Sequence, residues 1–197
     1  MDSNPYRSPT SRLESPLEVP PKLSFQQMLQ LFAIGVGGGA LLGGATNVIN
    51  GAISPEYFLD HRMLFWKDWD HIRLCAVVEG IIEGAGLGSV YAAAFVALTW
   101  AVAARRCHFS AAVGYIRTCI LIALGAWIAG GVCGLAYAYV WPFDFQVRTP
   151  PRFFLESLAA RYEWVHGSIL AVYFGCVVPI AAVIIYFVVR NRLDFAR

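Results

Sequence analysis

Charge is what this chain has least of. Only 14% of its 197 residues are Asp, Glu, Lys or Arg, against 58% hydrophobic residues. A soluble domain carries about a quarter charged residues. A surface built from this composition would present large apolar patches to water and associate through them, which excludes an ordinary soluble globule. Cysteine is sparse and unpaired in pattern: Cys75, Cys107, Cys119, Cys133 and Cys176 form no CxxC motif. That argues against a disulfide framework, and leaves small apolar packing as their role.

The sequence is equally poor in chemical motifs. No His-to-Glu spacing matches a metal signature such as HExxH, so no metal ligand is assigned. Gly84-Ala85-Gly86-Leu87-Gly88 lacks the trailing Lys and the strand-turn-helix setting of a phosphate loop. Ser89, Thr99 and Ser168 have no base in view, so no catalytic residue is assigned. No basic–aromatic pattern indicates nucleic acid, and no cofactor is implied. The first 24 residues are polar and the apolar run after them is long for a signal peptide, so the first span is expected to remain as an anchor.

What the chain does have is four long apolar runs, at 29–52, 74–104, 112–141 and 166–189. A helix needs ~20 apolar residues to cross a hydrocarbon core. Lipid forces each crossing segment to satisfy its own backbone hydrogen bonds, which disfavours isolated strands. The expected fold is all-α: an integral membrane four-helix bundle over 24–197, preceded by a disordered tail over 1–23. Pro5, Pro9, Pro16, Pro20, Pro21 and several serines give that tail a composition unable to bury a core.

Basic residues are distributed unevenly. Arg7, Arg12, Lys22, Arg105, Arg106, Arg117, Arg190, Arg192 and Arg197 would share one side. Arg62, Lys67, Arg73, Arg148, Arg152 and Arg161 would share the other, accompanied there by seven acids. The positive-inside rule then places both termini in the cytoplasm and the spans in the cytoplasmic membrane.

Glycines recur at helical spacing: Gly35, Gly39 and Gly43 in the first run, Gly80, Gly84 and Gly88 in the second, Gly130 and Gly134 in the third. Small residues at this spacing let backbones approach in lipid. The faces could join helices within one chain or between chains, so a membrane-protein partner or a homo-oligomer stands beside the lipid bilayer as an expected contact. Ser54-Pro55-Glu56 looks like a helix start, with Ser54 as N-cap. The aromatic stretches around 55–69 and 153–164 read as short amphipathic helices at the outer interface. A weak repeat links the halves. Pro55 and Phe58 match Pro142 and Phe145, and Trp69-Asp70-His71 matches Trp164-Val165-His166. Two tandem hairpins related by an axis along the membrane normal would follow.

Glu79 and Glu83 lie four apart on one face of the second run. Counting 22 residues from Arg105 puts Glu83 ~33 Å away, with Glu79 ~6 Å beyond, near the outer headgroups. His166 lies at a comparable height. Asn47, Asn50 and His71 complete a polar layer. Two readings stay open. In the leading one these groups hydrogen-bond the hairpins together; in the other, Glu79, Glu83 and His166 bind a proton or cation, since burial and nearby charge shift such groups toward neutrality.

Three stretches resemble a known group. Asn4-Pro5-Tyr6-Arg7-Ser8-Pro9 resembles the N-P-Y-x-S-P leader of many planctomycete membrane proteins. NVINGAISPEYF, from Asn47 to Phe58, and RYEWVHGSI, from Arg161 to Ile169, resemble an uncharacterised four-span group from those bacteria. The resemblance implies a multi-pass architecture and tandem hairpins, and it brings no activity or functional residue. From sequence, the leading function is a structural or accessory membrane component. A small transporter, channel or ion-coupled subunit is the alternative, and an intramembrane enzyme ranks third.

Overall fold

The computed structural model describes residues 22–61, 69–101, 107–141 and 156–196. The expected disordered tail lies almost wholly outside the described residues. Among the described residues six α-helices follow in order: α1 (Phe25–Ile53), α2 (Pro55–His61), α3 (Ile72–Ala101), α4 (Phe109–Val140), α5 (Glu156–Leu170) and α6 (Val177–Ala196). A 3-10 turn, Trp69–His71, leads into α3, and a π turn, Ala171–Gly175, joins α5 to α6. Among the described residues no β-sheet forms.

Among the described residues four helical segments are long and apolar enough to cross a membrane: Phe25–Ile53, Ile72–Ala101, Phe109–Val140 and Leu158–Arg190. Their outward faces carry exposed Leu41, Val90, Tyr139, Phe174 and Val178. In water these would be an aggregation surface; in hydrocarbon they are matched to their solvent. The chain is a multi-pass membrane protein built as a four-helix bundle.

The bundle is two antiparallel hairpins, with α1 packed chiefly on α3 and α4 chiefly on α5. Glycine sets both contacts. A Cβ on Gly35 would stand 2.6 Å from Ala92 Cβ, one on Gly39 would strike Gly84 O, and one on Gly43 would strike Gly80 O. In the second hairpin, Gly130 lies against Gly167 and Ala171, and Gly134 against Glu163 and Gly167. Such backbone proximity is available only where side chains are absent. Adding 87 to both members of the pair Gly43/Gly80 gives Gly130/Gly167, and adding 87 to Asn47/Ala76 gives Gly134/Glu163. The two hairpins therefore share one packing register and run in the same sense. The Pro-x-x-Phe match obeys that shift, since Pro55 becomes Pro142. The Trp-x-His match does not: Trp69 and Trp164 are separated by a shift of 95, about two helical turns out of step.

Helix ends follow local rules. Ser24 and Gln27 form a capping box, in which Gln27 N donates to Ser24 Oγ at 3.1 Å and Ser24 N donates to Gln27 Oε1 at 2.9 Å. Ser54 closes α1 through its N–H to Asn50 O, and its carbonyl accepts from Tyr57 N at the start of α2. It thus sits at the expected helix start, but its hydroxyl donates to Glu56 Oε2 instead of accepting from the backbone.

α2 folds back on the bundle. Tyr57 and Phe58 are buried with Ile72, Ala76, Ala159, Tyr162, Val165 and Ile169, and the Tyr57 ring meets Tyr162 at 5.1 Å between centroids. The second expected interfacial helix, around 153–164, does not form as a separate element where the structure describes it. Residues 158–164 are the first turns of the fourth span. Their charges suggested an interface, yet Trp164 covers Gly131 and the Glu163 backbone lies on Gly134, so glycine contact draws this segment into the hairpin. The fourth span is irregular at the π turn, where Cys176 N donates to Ala171 O. Pro179 one turn later has no N–H to offer the preceding turn, and a π insertion is a common companion of such gaps.

At the end that holds the start of α1, a second core gathers Leu31, Phe95, Cys107, Ile116, Ile184 and Phe187. Phe95 stacks on Phe187 at 4.8 Å. The two cores thus occupy opposite ends of the bundle, and a cavity runs between them.

Candidate functional site

The cavity follows the glycine seam of α1 and α3 and is closed opposite by α4 and the π turn. Its volume is about 120 Å³. Toward the start of α1 its wall is apolar, formed by Phe95, Ile116, Ile120, Ile180 and Ile184. Toward α2 it becomes polar, with Thr46, Asn47, Asn50 and Glu83.

The asparagines brace the helices. Asn47 Nδ2 donates to Ala76 O at 3.0 Å, tying α1 to α3. Asn50 Nδ2 donates to Asn47 Oδ1 at 3.3 Å, and Ser168 Oγ approaches Asn50 Oδ1 at 3.4 Å, reaching α5. Ser168 Oγ also lies 2.9 Å from Val165 O. Asn50 and Ser168 are fully buried. A buried amide in an apolar surrounding is costly unless hydrogen-bonded, and this relay meets that need across three helices. Thr46 satisfies its hydroxyl on its own helix, at Leu42 O and Gly43 O, the usual arrangement in membrane helices.

The ionisable residues singled out from sequence are distributed over separate places. Glu83 is half-buried and lines the central cavity. Glu79, also half-buried, lies one turn closer to α2. His166 lines a different space, a groove of about 780 Å³ between α4 and α5, beside Glu163, Tyr137 and Tyr162. Its ring is 6.0 Å from that of Tyr57. His71 is exposed at the 3-10 turn. Adding 87 to Glu79 gives His166, so the two hold equivalent positions in the two hairpins. Among the described residues no cluster of three or more His, Cys, Asp or Glu has metal-binding geometry.

Helix ends refine the depth. Glu83 is 11 residues after Ile72, or ~16 Å along the helix. α3 has 30 residues, ~45 Å, which exceeds a ~30 Å core by ~15 Å. If that excess projects wholly at the α2 end, Glu83 reaches the boundary; if it is shared, Glu83 sits ~9 Å inside.

Sequence reading missed Ser168 as a member of the relay and Trp127 as a cavity wall. Trp127 is 7% exposed, and its Nε1–H finds no acceptor among the described residues. It meets Trp164 edge-on at 6.0 Å. The available signal was position: Trp127 lies one turn before the Gly130-Gly131 pair that marks the α4 contact face. No family model matches the chain, and neither the curated proteins nor the solved structures contain a match.

Proposed function

We propose that this protein is an accessory or structural component of the cytoplasmic membrane, with both termini in the cytoplasm, acting through contacts of its membrane-embedded and membrane-proximal surfaces. The observation that carries this reading is the Asn47–Asn50–Ser168 relay, which spends the buried polar groups on joining α1, α3 and α5. The apolar wall of the central cavity toward the start of α1 fits the same reading, because a permeating ion needs polar groups along its path. The nine-to-six split of basic residues supports the orientation. Kinship with the planctomycete four-span group belongs to the same proposal and adds no chemistry to it.

One observation favours a second reading, a small ion-coupled transporter: half-buried Glu83 on α3 lines the cavity. Reconstituted liposomes separate the two. The accessory reading expects no proton or cation flux above empty vesicles, and a stoichiometric partner recovered with the full chain and lost when residues 1–23 are deleted. A proton- or cation-dependent flux that disappears in the double variant Glu79→Gln/Glu83→Gln overturns it.

A further inference from the structure

We propose that the groove between α4 and α5 is covered by the first hairpin of a second copy of this chain, through the same contact that joins the two hairpins within one copy. This goes beyond the accessory reading and rests on the hairpin geometry alone. Under the shift of 87, Ala129, Cys133, Gly167 and Ala171 of the groove stand where Leu42, Thr46, Gly80 and Gly84 stand in the first hairpin. Those four line the central cavity, on the face that the second hairpin covers. One face is therefore filled in the first hairpin and open in the second: Thr46 is buried, and Cys133 is exposed. A second copy laid on the groove continues the interface already present between the hairpins.

The mating face is open in the complementary sense. The second hairpin covers the first with Ile116, Ile120 and Ile169, and Ile116 and Ile169 are each 6% exposed. Their equivalents in the first hairpin are Leu29, Ala33 and Ile82. Leu29 is 53% exposed, Ile82 is 62% exposed, and Ala33 is exposed as well. Contact between unlike faces accounts for this. If a twofold axis related the hairpins, Ala33 would stand against Gly125 as Ile120 stands against Gly38. A Cβ on Gly38 would strike Ile120, but one on Gly125 has nothing within 4 Å. A contact of unlike faces leaves one of each kind open at the ends of the pair, and it closes a ring when repeated through a full turn. The hairpins run in the same sense, so the turn is about the membrane normal and every copy keeps its depth. Ala33, Gly125 and Ala129 are small enough for close helix approach in lipid. Two chains are the fewest that cover both open faces.

The test pairs Gly125→Cys on one tagged copy with Ala33→Cys on a differently tagged copy. Both are full chains with the native cysteines replaced, reconstituted together in liposomes at low protein density. Oxidation with copper phenanthroline should link the two tags, and either variant alone should give only background dimer. No link between the tags overturns the proposal, as does a self-link of either variant as strong as the mixed one. Should the chain without native cysteines not fold, native mass spectrometry of the wild type ejected from membrane vesicles decides. The proposal expects two or more chains per particle, falling to one in Ala129→Trp, which fills the groove. Leu41→Trp, at a position 77% exposed and outside both faces, should leave the assembly as it is. A single wild-type chain carrying only lipid overturns the proposal, as does an assembly that Ala129→Trp leaves intact.

Discussion

Gly43→Ala adds one methyl at the tightest part of the α1/α3 seam. The new Cβ would meet Gly80 O, with Gly80 C at 2.9 Å and Gly84 Cα at 3.1 Å. All three are backbone atoms, so no side chain can rotate away. Restoring ordinary contact at ~3.5–4.0 Å from Gly80 O, the nearest of them, requires α1 to withdraw by ~1.5 Å or more. The Asn47 bond to Ala76 O, 3.0 Å long, would then stretch to ~4.5 Å, beyond hydrogen-bonding range. Overpacking costs about 1–3 kcal/mol, and a lost interhelical hydrogen bond in a membrane about 0.6–1.7 kcal/mol. The better helix propensity of Ala returns about 1 kcal/mol. The net expectation is a loss of roughly 2 kcal/mol, within about 0.5–4 kcal/mol. Reversible unfolding in mixed detergent micelles, followed by far-UV circular dichroism, measures it. Gly37→Ala and Gly86→Ala are the controls, since a Cβ at either has nothing within 4 Å; both should be neutral or slightly stabilising. Equal behaviour of all three variants would refute the claim that backbone contact at the glycines holds the hairpin.

Two further outcomes follow from the same structure. Asn50→Ala removes the centre of the relay and should cost about 1–3 kcal/mol by leaving buried partners unsatisfied. A double-mutant cycle with Ser168→Ala should show coupling, and additive losses would contradict the relay. Cys107, between α3 and α4, is fully buried, and burial pushes its thiol from 9.0 up to about 11. A raised value favours the protonated folded state, so the associated stability is complete below about pH 9 and is lost as pH rises through about 11. At pH 8 the folded thiolate fraction falls about 100-fold, and alkylation of Cys107 by a maleimide should slow in proportion until the protein is unfolded.

The spans and the glycine seam were legible in the sequence because they depend on length and on four-residue spacing, both of which read directly along a helix. Gly35, Gly39, Gly43 and their partners Gly80, Gly84 and Gly88 meet as that spacing implies. The fourth span was read too short, from 166, because Arg161 and Glu163 interrupt its hydropathy. Its extension to Leu158 rests on contacts with Gly131 and Gly134, which a single-segment reading cannot weigh. The Trp-x-His pairs misled on register because matching letters carry no information about helical turns, whereas the glycine contacts fix the shift at 87. His166 and Glu83 looked like neighbours by height alone. Helical phase decides which space each side chain enters: His166 lines the α4–α5 groove, and Glu83 lines the central cavity. Trp127 passed unnoticed because an unpartnered N–H is a property of the packed bundle.

The most direct test of the four-span architecture is vectorial labelling of single engineered cysteines in a background where the native ones are replaced. His71 and His108 are both exposed, one at the head of α3 and the other at the head of α4. In intact cells stripped of any outer envelope, a membrane-impermeant maleimide should label His71→Cys directly and His108→Cys only after permeabilisation. Labelling of both positions from the same side contradicts the bundle, and a reversed pattern contradicts the orientation.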